Sequence, residues 1–138
     1  MTAFIDTSSL FKKYLDEKGA DTFDALLQPV SDIIIAPITL LEINSIIERR
    51  LREKTLSTHD ADWIEKEFML DLNFYGVVEF NEALNSECIR VIRKYQMKVL
   101  DGIQLSSAIV ANPDVLIVSD KHLYKSATQE LKRVEFVG

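Results

Sequence analysis

The amino-acid sequence predicts an α/β fold, a central parallel sheet of four to five strands with helices on both faces. Three observations carry the prediction. Short apolar runs rich in β-branched residues recur along the chain, and stripes of helical period lie between them. The third is size: 138 residues, 47% hydrophobic and 28% charged, suit one domain over 1–138 with no internal repeat, low-complexity tract or flexible linker.

The elements follow in order. Residues 3–5 (Ala-Phe-Ile) form a first buried strand, and Asp6 ends it where a helix starts over Thr7, Ser8 and Leu10. Phe23, Leu26 and Leu27 mark a short helix closed by Pro29. Residues 33–36 are a second strand, and after Pro37 the stripe Leu40, Ile43, Ile47, Leu51 is a helix. Ser57-Thr58 introduce a helix bearing Trp63 and Phe68, and residues 77–80 form a third strand. A helix beginning near Asn81 presents Leu84, Cys88, Val91, Ile92 and Tyr95 on one face. The segment "KVLDGIQLSSAIVAN" is helical to about Asn112-Pro113. Residues 115–118 are a fourth strand, Asp120 precedes a helix opening on Lys121-His122-Leu123, and residues 134–137 form a weaker fifth strand.

Composition excludes several classes. With four glycines the chain carries neither a GxGxxG fingerprint nor a Walker P-loop. No apolar run approaches 18 residues and no export signal opens the chain, so the expectation is a cytoplasmic protein without membrane contact. A single cysteine, Cys88, cannot make an internal disulfide and fits a reducing compartment. The net charge of −6 repels nucleic acid on average unless basic residues are grouped or a cation intervenes. Basic groups do occur, at Lys12-Lys13, at Arg49-Arg50-Arg52-Lys54, around Arg90, Arg93, Lys94 and Lys98, and at Lys121, His122 and Lys125. Solvated helix faces account for most such groups, and Glu48/Arg52 and Arg49/Glu53 have the spacing of helical ion pairs.

Four carboxylates stand out. Asp6 and Asp120 follow strands, Asp101 stands where Leu100 gives way to a helix, and Glu42 lies about one turn into the helix after the second strand. Each has a structural explanation: the three aspartates as N-caps, and Thr39-x-x-Glu42 as a capping box. Together they imply more. The carboxyl ends of parallel strands share one rim, where ligands gather. Anions converging there repel one another unless a cation is present. Oxygen donors without a histidine or cysteine cluster favour Mg²⁺ or Mn²⁺ over zinc. His59 and His122 show no ligand spacing and are expected at exposed or capping positions.

At these residues the sequence resembles a known family. "FIDTSSLFKKYL" resembles the opening of PIN-domain ribonucleases, in particular VapC-type toxins of toxin–antitoxin systems. "ITLLEINSIIERRL" is similar to their second acidic motif, "VLDGIQLSSAIV" to the third and "LIVSDKHLYKSA" to the fourth, so the likeness spans nearly the whole chain. Two departures occur: Gly102 stands in place of the common Ala, a change worth about 1 kcal/mol at a helix start, and Ser119 precedes the fourth acid. Neither removes a carboxylate.

The resemblance implies a PIN-like fold and a metal-dependent endoribonuclease, the toxin of a toxin–antitoxin pair. Asp6, Glu42, Asp101 and Asp120 would hold one or two Mg²⁺ or Mn²⁺ ions, Asp6 and Asp101 as main ligands, the other two completing the site or orienting water. Thr7, Ser8 and Ser119 would support the site, although free N–H groups at a helix start explain Thr7 and Ser8 equally well. Lys12, Arg49, Lys121 and Lys125 are candidate contacts to RNA phosphates. The implied partners are RNA, a second copy in a homodimer, and an antitoxin whose C-terminal segment lies across the groove and can place a basic side chain in the acidic site. Trp63, Phe68, Met69, Phe74 and Tyr75 either line such a groove or, as expected for most of them, pack the core. The alternative is a PIN-fold binding or scaffold module without nuclease activity. Phosphoacceptor receivers and haloacid-dehalogenase-type phosphatases also set Asp at a strand end, but the latter need a second Asp where Ser8 stands, and the acidic pair and middle-strand Asp of a receiver are missing.

Overall fold

The computed structural model describes residues 1–138. Five strands form one parallel sheet in the order β3-β2-β1-β4-β5: β1 (Thr2–Ile5), β2 (Asp32–Ile35), β3 (Gly76–Val77), β4 (Val115–Val118) and β5 (Val134–Phe136). Seven helices connect and cover them: α1 (Thr7–Phe11), α2 (Ala20–Leu27), α3 (Thr39–Arg52), α4 (Thr58–Leu72), α5 (Glu82–Tyr95), α6 (Val99–Ala111) and α7 (Lys121–Ala127). The α/β expectation holds, as do the strands of the apolar runs. The third strand is shorter than expected. Gly76 and Val77 pair with Ile34 and Ile35, but β2 ends ahead of Pro37, leaving no strand beside Glu79 and Phe80.

Alternation along the strands divides the core in two. Ala3 and Ile5 of β1, with Val115 and Ile117 of β4, face Leu10, Phe11, Phe23, Ile43, Ile47, Ile64 and Phe68 from α1 to α4. Phe4, Leu116 and Val118 point the other way, onto Cys88, Val91, Ile103, Leu105, Ala108 and Leu123 of α5, α6 and α7. Both faces are therefore sealed by helices, and the polar residues left for chemistry lie at the strand ends.

The strand order places those ends usefully. From β1 the chain winds outward through β2 to β3, then returns to the other side of β1 for β4 and β5. The β1/β4 boundary is thus a topological switch point, where the connections diverge and leave a crevice beyond the carboxyl ends. Ile5 is in register with Ile117, so Asp6 and the Ser119-Asp120 turn emerge side by side. No helix is long and apolar enough to cross a membrane.

Several local expectations are revised. Of the two predicted ion pairs on α3, Arg49–Glu53 forms at 3.6 Å and Glu48–Arg52 does not. In the aromatic segment Phe68 is buried and Tyr75 half-buried, but Trp63 and Met69 are exposed and Phe74 is 85% exposed. Core packing claims the inward side of α4 through Ala61, Ile64 and Phe68, leaving Trp63 and Met69 on its outer side, and Phe74 lies beyond its end. Gly102 is buried where α6 begins, and a Cβ there would come within 2.8 Å of Ile92 Cγ1 on α5. The residue allows close approach of two helices rather than loosening one.

Candidate active site

Asp6, Thr7, Ser8, Glu42, Asp101, Gln104 and Asp120, with Leu123, line one hollow of about 100 Å³ at the carboxyl end of the sheet. Four separate segments bring the four acids there, each for a local reason.

Asp6 and Asp120 are N-caps as well as members of the hollow. Asp6 Oδ1 accepts from Ser9 N at 2.9 Å at the start of α1, and Asp120 Oδ1 accepts from Leu123 N at 2.7 Å at the start of α7. Capping uses one oxygen of each carboxylate. The second oxygen of Asp6 meets only a long contact from Ser119 N, 3.4 Å, and that of Asp120 has no protein donor. Ser119 Oγ lies 2.7 Å from Ser9 Oγ, which ties the β4–α7 turn to α1 beside the acids.

The other two acids are not caps. Asp101 lies in the first turn of α6, whose N-cap is Lys98, so the helix starts three residues before the expected cap and no strand precedes it. Its carboxylate makes no hydrogen bond with the protein. The capping box of Thr39 and Glu42 is not formed: α3 begins after Ile38 without a side-chain cap, and Thr39 is buried. Glu42 instead turns toward α1 and α6. Its Oε1 accepts from Thr7 Oγ1 at 2.7 Å and from Gln104 Nε2 at 2.7 Å.

The electrostatics are those of anions without a counter-charge. Asp6 is 4% exposed, and burial pushes its carboxyl up to about 6, against the lowering effect of the Ser9 and Ser119 donors and with a further push from Glu42. Asp101 is raised by burial and then by Asp120, with His122 and Lys98 acting in the opposite sense. No lysine, arginine or histidine comes within ion-pair distance of any of the four acids.

The donor set, all oxygen and mostly carboxylate, suits a hard divalent cation, and the uncompensated charge around Asp6 calls for one. As placed, no three of these side chains stand close enough to hold an ion between them. Like charges in a confined hollow stand apart, and Asp101, the one acid the protein does not hold, is the one free to turn toward a bound cation.

The candidate phosphate contacts divide. Lys121 and Lys125 are exposed on α7 and make no ion pair, while Arg49 is exposed on α3 beside Glu53. Lys12 is a correction: its ammonium donates to Lys18 O at 2.8 Å and pairs with Glu17, with 9% of the side chain exposed. It holds the α1–α2 connection and is not free. Ser8 is exposed and lines both the acidic hollow and a larger groove of about 450 Å³ that runs along α3 past Leu41 and Ile46 to Arg49, with Leu100 on its other bank. The aromatic segment of α4 lines neither. His59 and His122 are exposed.

Sequence reasoning missed Gln104. A signal was present: it stands three residues after Asp101, the one amide in a stretch otherwise of small and apolar residues, so a helix carries both to the same face.

The family model for the PIN domain matches residues 3–128. No protein of curated function matches the sequence significantly. Among solved structures, VapBC2 of Rickettsia felis, bound to a DNA fragment from its promoter, matches with a TM-score of 0.71 at 14% identity over 100% of both chains. FitAcB from Neisseria gonorrhoeae matches with a TM-score of 0.69 at 11% identity, over 99% of this chain and 96% of that one. A toxin–antitoxin complex from Klebsiella pneumoniae matches with a TM-score of 0.62 at 18% identity over 86% of each chain. At such identities these likenesses speak to the fold.

Proposed function

The chain belongs to the PIN-domain family, and from that membership we propose that it is a metal-dependent endoribonuclease acting in the cytoplasm as the toxin of a toxin–antitoxin pair. One observation carries the reading: four carboxylates from four segments line a single hollow with no protein cation paired to any of them. A scaffold has no use for such a concentration of uncompensated charge.

Asp6, Glu42, Asp101 and Asp120 would hold one or two Mg²⁺ or Mn²⁺ ions. When bound, the ion supplies Lewis-acid support for the phosphate and activation of water, and it offsets the local negative charge so that an RNA strand can approach. The protein's part is placement. Asp6 and Asp120 are fixed by the helices they cap, and each keeps an oxygen for the hollow. Asp101, bonded to nothing, is free to turn toward an ion or a water. Ser8 at the rim can donate to a phosphate oxygen, and Arg49, Lys121 and Lys125 flank the approach. The groove along α3, with Leu41 70% exposed and Leu100 beside it, has the apolar bank and the acidic end that an antitoxin segment carrying a basic side chain would fill. Trp63 and Leu70 on the outer side of α4, with Phe74 just beyond its end, offer apolar area to a second copy in a homodimer.

The separation of the acids favours the second reading, a binding module without activity. One experiment decides between them. Protein freed of any bound partner is incubated with total RNA and Mg²⁺ or Mn²⁺, beside Asp6→Asn and Asp101→Asn. Discrete cleavage by the parent that the variants lack supports the nuclease. Equal cutting by all three identifies a contaminant, and no cutting under any condition supports the binding module.

A further inference from the structure

Three of the four acids have one oxygen held by the protein, and the holder differs. Backbone N–H groups at helix starts hold Asp6 and Asp120. Glu42 lies in the first turn of its own helix but reaches away from it, so no helix start can serve. A side-chain triangle does the work. Gln104 Nε2 donates to Glu42 Oε1 at 2.7 Å and to Thr7 Oγ1 at 2.9 Å, and Thr7 Oγ1 donates to the same Glu42 oxygen at 2.7 Å, with Thr39 Oγ1 3.2 Å behind it. The triangle links α1, α3 and α6, the helices that carry or directly follow three of the acids.

The orientation of the amide is fixed by charge. Gln104 is 5% exposed, both N–H donors are engaged, and Oε1 is buried with no partner. Turned the other way, that oxygen would face a carboxylate oxygen at 2.7 Å, a repulsion greater than the loss of one acceptor bond. An acceptor left without a partner in the interior is a recurring mark of a side chain held for another purpose.

We propose that Gln104 is a positioning residue for Glu42, fixing Oε1 so that only Oε2 is presented to a divalent cation in the hollow. The inference rests on the cation-holding reading above. Gln104 lies one turn beyond Asp101 on α6, so a single rigid helix both carries one ligand and aims another. A neutral amide suits the task. A lysine or arginine there would neutralise Glu42 itself and compete with the ion, whereas Gln104 orients the carboxylate and leaves its charge available.

The test reads metal binding without RNA. Full-length protein is titrated with Mn²⁺ by thermal melting and by calorimetry, beside Gln104→Met, which keeps length and flexibility but has no donor, Glu42→Gln, and the double variant. The expected result is a Mn²⁺ affinity 10- to 100-fold weaker in Gln104→Met than in the parent, and no further loss when Gln104→Met is added to Glu42→Gln. The same loss in both backgrounds, or none in either, overturns the proposal. Should Gln104→Met fail to fold, Gln104→Asn, whose amide is withdrawn by one methylene, carries the same cycle. A parent that binds no Mn²⁺ removes the cation-holding reading and this inference with it, while a parent that binds and a Gln104→Met that binds equally removes this inference alone.

Discussion

Two groups of carboxylates in this molecule live under opposite conditions. In the hollow beyond β1 and β4, Asp6, Glu42, Asp101 and Asp120 gather with no cation paired to any of them. In the turn after α7, Glu130 stands alone and is held by three donors from α5: Arg90 at 2.6 Å, Lys94 at 3.1 Å, and a short hydrogen bond from Tyr95. Arg90 also binds Glu87 at 2.8 Å. The consequences for proton affinity are opposed. Asp6 is pushed up to about 6 by burial, while the Arg90 guanidinium, with Tyr95 and Lys94, holds Glu130 down at about 2. An acid supplied with its own counter-charge joins elements together. Acids denied one are, on the function proposed above, held ready for a cation from solution.

The comparison is broken most directly at the hollow. Replacing Asp6 or Asp101 by Asn is expected to lower the rate of RNA cleavage more than a hundredfold, roughly 3 kcal/mol of barrier, in single-turnover assays at saturating Mg²⁺. Glu130→Gln should leave the rate within a few-fold, since nothing connects it with the hollow. A Glu130 variant as inactive as Asp6→Asn would show that the division between structural and functional acids is false.

Stability should move the other way. Between about pH 4 and 6 the unfolded chain has already released the Asp6 proton while the folded, metal-free chain retains it. Folded stability therefore falls as pH rises through that window, by on the order of 2–3 kcal/mol. Asn caps a helix as well as Asp does, so Asp6→Asn should be the more stable protein in EDTA at pH 7.5 and equal to the parent near pH 4. Adding Mg²⁺ or Mn²⁺ should then reverse the ranking, because the ion stabilises only the parent. Melting curves at the two pH values, with and without metal, supply the check. A parent that melts above Asp6→Asn in EDTA would mean that burial is not straining this carboxylate.

Glu130 has the opposite sign. Its folded proton affinity lies below that of the unfolded chain, so its contribution is complete above about pH 4.5 and is lost as pH falls toward 2. Arg90 and Lys94 are partly exposed, which screens the interaction. Glu130→Gln should therefore cost about 1–2 kcal/mol at pH 7 in urea unfolding, less in high salt, and nothing at pH 2.

What the sequence revealed follows from where each signal resides. The apolar runs and helical stripes yielded the sheet, the helices and the four acids, because period and strand-end position are local properties. The spacing of Asp6, Glu42, Asp101 and Asp120 along the chain does not say how their side chains turn, and Thr39 and Glu42 do not form the capping box that their spacing predicts. Glu42 could bond its own helix or a neighbouring one, and Thr7 and Gln104, distant in sequence, decided it. Lys12 failed likewise, since the partners that engage it, Glu17 and the Lys18 carbonyl, are set by how the α1–α2 connection folds back. The exposure of Trp63 on α4 and of Phe74 just after it could not be read from hydrophobicity alone, because a large apolar residue is as compatible with an interface as with a core.

Gly102 offers the smallest and most discriminating test of how the site's helices are packed. Alanine is the better helix former by about 1 kcal/mol, so propensity alone predicts that Gly102→Ala stabilises the protein. The structure opposes this, because the new Cβ would meet Ile92 Cγ1 at 2.8 Å and Cys88 Sγ at 3.4 Å. Ile92 Cγ1 is not the free end of a flexible chain, so α5 and α6 would have to part by a few tenths of an ångström, at a cost of about 1–3 kcal/mol. The net expectation is a destabilisation of about 1 kcal/mol, measured by urea unfolding, that Ile92→Val relieves in part by removing the adjacent terminal methyl. Asp101 immediately precedes the contact, so the same displacement would shift one acid relative to Asp6, which caps α1 and is not part of α6. A stabilised Gly102→Ala would show that this junction has slack and that the glycine has no packing role.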